Sequence, residues 1–98
     1  MRYELNTTEV FDTWLARLDG SLKRRLASRL LQVECGHFGD HKAIAANLFE
    51  LRYFFGGGLR LYYTIRDQRI VLLLAGGDKA TQSRDIACAK DMLEQLQG

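Results

Sequence analysis

Ninety-eight residues with 47% hydrophobic and 27% charged side chains make one ordinary domain with one modest core. The net charge of +2 excludes a strongly basic or acidic chain whose overall field would select its partner. The two cysteines, Cys35 and Cys88, match no metal or redox spacing and read as reduced thiols of a cytosolic protein.

The N-terminus MRYELNTTEV lacks the apolar stretch of a signal peptide, and the longest apolar run, Ile70 to Ala75, is too short to span a bilayer. Residues 1–98 therefore read as a single domain with no membrane association. Arg2 to Asn6 reads as a short strand. Thr7 or Thr8 caps a first helix carrying Val10, Phe11, Trp14, Leu15 and Leu18 at helical spacing. Asp19-Gly20-Ser21 breaks it, and Ser21 is the expected cap of a second helix with the stripe Leu22, Leu26, Leu30 and Val33. So short a turn implies an antiparallel helical hairpin. Gly36 ends the second helix. His37 to Asn47 reads as a loop.

Three consecutive strands follow. Phe49 to Phe55 is apolar and aromatic, Gly56-Gly57-Gly58 permits a tight turn, and Leu59 to Arg66 alternates strictly. Asp67-Gln68 is a second turn, and Ile70 to Ala75 is an unbroken apolar run of the kind covered on both faces. Thr81 is the expected cap of a last helix with Ile86, Ala89, Met92, Leu93 and Leu96 on its apolar side. The order is strand, helix, helix, three antiparallel strands, helix: an α+β domain.

A symmetric three-glycine loop would set Arg52 opposite Tyr62 and Phe54 opposite Arg60. A symmetric second turn would set Tyr62 beside Leu73 and Arg60 beside Ala75. Arg52, Phe54, Arg60 and Tyr62 then share one sheet face, with Lys79 emerging beside Arg60. A one-residue slip would destroy the grouping. Several cations beside aromatic rings suit a phosphodiester, since arginine donates in a planar fork to phosphate oxygens and a ring can stack on a base. The plain alternative is that these arginines face solvent or pair with carboxylates, for which Glu50 and Asp67 are available. Gly76-Gly77-Asp78-Lys79 lacks the spacing of a P-loop and reads as a turn. His37 and His41, flanking Asp40, make a weak metal signal and read as surface residues, and no metal site is expected. Lys23-Arg24-Arg25 is either a solvated helix face or an electrostatic footprint for RNA.

The combined pattern is more specific than any of its parts. Glu50-Leu51-Arg52, the G-x-G-x-R-x-Y-Y run from Gly56 to Tyr63, and Gly76-Gly77-Asp78-Lys79 followed by Gln82, Asp85, Ile86 and Ala89, preceded by the C-G-H-F-G-D-H-K loop, closely resemble the RelE/ParE toxin superfamily in its HigB-like "addiction module killer" branch. Gly57 departs from the pattern, which more often has proline there. The resemblance implies a RelE-like fold with the helical hairpin packed on a twisted antiparallel sheet. It implies a toxin of a type II toxin–antitoxin system that arrests growth as a ribosome-dependent mRNA endoribonuclease, needing neither cofactor nor metal. Its partners would be a cognate helix-turn-helix antitoxin and mRNA in the A site of the small ribosomal subunit, with operator DNA reached only through the antitoxin. Carried over by position, the catalytic residues are Arg52, Arg60, Tyr62 and Lys79. The chain's own pattern adds RNA-contacting candidates: Phe54 on the same sheet face, Gln82 and Arg84 at the start of the last helix, and Lys23 and Arg24 of the basic run. Two other outcomes stay open for the same fold: a ParE-type inhibitor of DNA gyrase, and a non-catalytic remnant that binds only antitoxin or DNA.

Overall fold

The computed structural model describes residues 2–97, and its first element, β1 (Glu4–Thr7), is an edge strand. α1 (Glu9–Ala16) starts at Thr8, whose Oγ1 accepts from the Phe11 amide at 3.1 Å and donates to the Leu74 carbonyl at 2.7 Å. One side chain thus caps the helix and ties it to the sheet. α2 (Gly20–Glu34) is capped by Asp19, not by Ser21: Asp19 Oδ1 accepts from the Leu22 amide at 2.9 Å. Aspartate wins because it immediately precedes the first helical residue, where its carboxylate reaches the free Leu22 amide, and because it carries the charge that the helix N-terminus favours. At the other end Gly36, at φ +91°, donates to Val33, and His37 donates to Gln32, both at 2.9 Å. That double bond closes the helix as a Schellman motif, which needs the left-handed glycine.

The stretch expected to be a loop contains a strand. β2 (His41–Ala45) pairs antiparallel with β3 (Leu48–Arg52), with a register shift between Ala43 and Ala45. Its signal was weak because only Ile44 among its five residues is shielded from solvent, so no alternation marks it. β4 (Arg60–Arg66) and β5 (Ile70–Gly77) complete a five-stranded sheet in the order β1-β5-β4-β3-β2, in which only β1 runs parallel to its neighbour. α3 (Gln82–Gln97) follows a 3₁₀ turn at Lys79–Thr81. Asp78 caps that turn rather than Thr81, and Thr81 returns the bond to the Asp78 amide at 3.2 Å, a reciprocal capping box.

The sheet is covered on both faces. Phe11, Leu26 and Val33 from α1 and α2 pack on Leu51, Leu61, Tyr63, Val71 and Leu73. Ala89 and Leu93 from α3 pack on Leu48, Tyr62, Leu74 and Ala75. Leu74 and Ala75 share a face because β4 and β5 change register between Tyr62 and Tyr63.

Both expected registers are off by two residues. Arg52 pairs with Arg60 and Glu50 with Tyr62, because Phe54 is looped out between two pairings to Leu59, one from the Tyr53 amide and one to the Phe55 carbonyl. Tyr62 pairs with Ala75 and Arg60 with Gly77. One residue of this second shift comes from the turn, where Asp67 and Gln68 both take positive φ and Arg66 meets Ile70; the bulge adds the other. A shift of two preserves the side on which every side chain points. Arg52, Arg60 and Tyr62 therefore do share a face.

Candidate functional site

Where β3 and β4 leave the cover of α3, the sheet opens into a cleft of ≈ 750 Å³. Arg52, Arg60, Lys79, Phe54, the glycine loop at Gly57 and Gly58, and Arg29 and Gln32 of α2 all line it. The convergence depends on glycine at one point. Gly58 sits at φ +80°, and a Cβ there would lie 3.3 Å from the Lys79 Cβ and 3.7 Å from Arg60 Nη1. Hairpin tip, lysine and arginine are thus in close contact.

The cations differ in how they are held. Arg60 lies over Glu50, a carboxylate with no solvent exposure, at 3.5 Å from Nε to Oε1. Its Nη1 leans on the Tyr53 and Leu59 carbonyls at 3.5 and 3.4 Å. The same Glu50 oxygen accepts from Gln82 Nε2 at 2.6 Å, so one buried acid joins α3 to the arginine. Arg52 pairs with Asp40 at 3.0 Å in the open, and that contact holds its guanidinium further into the charged form. Lys79 and Arg29 have no acidic partner within 4.0 Å among the described residues.

Tyr62 does not reach the cleft, contrary to expectation. It is 0% exposed, and α3 covers it with Ala89 and Leu93. Its hydroxyl is buried without a hydrogen-bond partner among the described residues, and burial, with Glu50 nearby, pushes its pKa far up. It shares a face with Arg60, but α3 lies over one and not the other. Phe54 is 88% exposed and lines the cleft. Gln82 is committed to Glu50 and is set apart from the opening. Arg84 is exposed beside Asp85, and Lys23 and Arg24 are exposed at the start of α2; none of the three lines the cleft.

Sequence reading missed Arg29, Gln32 and Tyr53. Arg25 stacks over Phe55 at 4.0 Å, Tyr53 stacks on Phe55 at 5.4 Å, and Arg29 and Gln32 follow on the same side of α2. The spacing 25, 29, 32 is the available signal, since residues three and four apart share a helix face. His37 and Asp40 also line the cleft, while His41 Nδ1 bonds the Gly39 carbonyl at 2.8 Å. Among the described residues no cluster of three His, Cys, Asp or Glu side chains could hold a metal, and no helix is long and apolar enough to cross a membrane. Cys35 and Cys88 are unlinked.

No protein-family model matches the chain. Over 97 residues it is 38% identical to an uncharacterised protein of Haemophilus influenzae, with 98% of each chain covered. Its structure is similar to that of a mutant Escherichia coli toxin RelE in the free state, with a TM-score of 0.76 at 19% identity over 94% of this chain and 98% of that one. It is also similar to isolated E. coli RelE, with a TM-score of 0.65 at 18% identity over 84% and 94% of the two chains. The intact E. coli RelBE toxin–antitoxin complex gives 0.61 at 17% identity over 78% and 95%. At these identities the likeness establishes the fold.

Proposed function

From a chain that belongs to one family with the H. influenzae protein and has the RelE fold, we propose a type II toxin that cleaves translated mRNA and is neutralised by a cognate antitoxin. The observation that carries the reading is the cleft itself: Arg52, Arg60 and Lys79 open into one space beside an exposed phenylalanine. The motif resemblance and the toxin and toxin–antitoxin structures of the same fold support it. The finer HigB-like placement, with a helix-turn-helix antitoxin, rests on the motifs alone.

In this mechanism a ribose 2′-oxygen attacks the adjacent phosphorus. The 2′-hydroxyl gives up its proton to water as the bond to the 5′-oxygen breaks, and the departing 5′-oxygen takes a proton from water, leaving a 2′,3′-cyclic phosphate and a 5′-hydroxyl. Arg60, steadied from below by Glu50, and Arg52 donate to the equatorial oxygens, where charge develops. The Arg52–Asp40 pair is exposed, so a phosphate displaces Asp40 at a cost of about 1 kcal/mol or less. Lys79, with no acid within 4.0 Å among the described residues, orients the phosphate. Phe54 stacks on a base. Gln82 acts through Glu50, and Tyr62 supports the sheet rather than touching RNA. The ribosome supplies alignment of the 2′-oxygen, an effect that can reach ~7–11 kcal/mol.

Expression of the chain alone should arrest growth, and co-expression of its genomic neighbour should restore it. Arg52→Ala, Arg60→Ala and Lys79→Ala should each abolish arrest in a folded protein. Arrest with protein synthesis intact and DNA-damage signalling raised would show gyrase inhibition instead.

A further inference from the structure

At ≈ 750 Å³ the cleft is larger than one phosphate requires. Besides Lys79 and the two paired arginines, it is lined by Arg29 and Gln32 of α2 and by Tyr53. Two features there have no structural explanation. Arg29 is an exposed cation with no acid within 4.0 Å among the described residues. Tyr53 is 8% exposed, and its hydroxyl is buried without a hydrogen-bond partner among those residues. A buried hydroxyl left unpaired is costly, which points to a ligand atom that completes it. The wall carrying these groups is firmly set: Tyr53 stacks on Phe55, and Arg25 of α2 stacks on the other ring of that pair. Arg29 is near enough to Tyr53 to oppose the burial that raises its hydroxyl to about 12.

We propose that Arg29, Gln32 and the Tyr53 hydroxyl form a second phosphate subsite, which binds the linkage next to the scissile one and so makes at least three nucleotides the productive footprint. This rests on the RNA-cleavage reading. Arg29 supplies the charge. Tyr53 and the Gln32 amide donate to phosphate or 2′-oxygens, and the rigid aromatic wall fixes their spacing from Arg60.

The test compares 2′-O-methyl dinucleotides and trinucleotides, which carry one and two phosphodiesters and resist cleavage, binding to the whole chain as followed by fluorescence anisotropy. The wild type should bind the trinucleotide about tenfold more tightly, as one charged hydrogen-bonded contact allows. Arg29→Ala should erase that gain and lower the salt slope by about 0.7, while leaving dinucleotide binding within about twofold. Tyr53→Phe keeps the ring and should remove part of the gain. Arg60→Ala should weaken both oligomers alike. An undiminished length gain in both Arg29→Ala and Tyr53→Phe overturns the subsite alone. Absence of binding by either oligomer to the wild type overturns the subsite and the RNA reading together.

Discussion

Replacing Tyr62 by phenylalanine separates the role the motif assigns to this residue from the one its surroundings allow. The ring lies at 0% exposure among Leu48, Leu74, Ala75, Ala89 and Leu93, and the hydroxyl meets no partner among the described residues. A buried unpaired hydroxyl costs about 1–3 kcal/mol. Tyr62→Phe removes that group, keeps the ring contacts and leaves a void of only one oxygen. The lost dispersion contacts offset part of the gain, so the net effect should be about 1 kcal/mol of stabilisation. For a domain of this size that raises Tm by roughly 4–8 °C. Urea unfolding at neutral pH, followed through Trp14 fluorescence, measures it, and the variant should still arrest growth. Destabilisation by 1 kcal/mol or more would show that the hydroxyl has a partner. Loss of arrest in a folded variant would put it in the chemistry and refute the placement of Tyr62 under α3.

Three other perturbations have definite signs. A Cβ on Gly76 would overlap the Trp14 ring, with Cδ2 at 2.7 Å, so Gly76→Ala should cost about 2–3 kcal/mol in urea unfolding, as overpacking does. Asp40→Asn breaks only the exposed pair with Arg52, so stability should fall by about 1 kcal/mol at most, while affinity for a short RNA analogue should rise. Burial raises Tyr53 and Tyr63 to about 12 and Tyr62 higher still. Above pH 10 the unfolded chain loses these protons and the folded chain keeps them. Stability is therefore full below pH 10 and falls as pH rises from 10 through 12; tyrosinate absorbance should appear together with unfolding.

The sequence carried most of the sheet face and little of its cover. The strict alternation of Arg60 to Arg66 placed Arg60 and Tyr62 on one side. Two register errors of two residues each left that side unchanged, which is why Arg52, Arg60 and Lys79 still meet. Which part of the face α3 covers is a tertiary fact. Asp78 begins the turn into α3 just past β5, beside Arg60, and the helix then runs away from Arg60, over Tyr62 and toward the far end of β4. Nothing in the alternation of β4 encodes that boundary. Glu50 stood in the sequence as a possible partner for a strand arginine, and it is one, but its complete burial and its bond to Gln82 come from α3 as well. Arg29 carries no signal of its own in the sequence because it is exposed like its basic neighbours on α2; only the fold brings it to the same cleft as the hairpin loop. β2 escaped notice because a short edge strand of mostly solvated residues has no apolar period to show.

The central claim is that guanidinium and ammonium groups in one cleft cut RNA during translation. Mapping the ends of a translated reporter mRNA, in cells expressing the chain or its combined Arg52→Ala, Arg60→Ala, Lys79→Ala variant, tests it directly. Cuts within the reading frame, with 5′-hydroxyl downstream ends that vanish in the variant and when translation is blocked, are expected. Intact reporter mRNA during growth arrest, or the same cuts made by the variant, would contradict the claim.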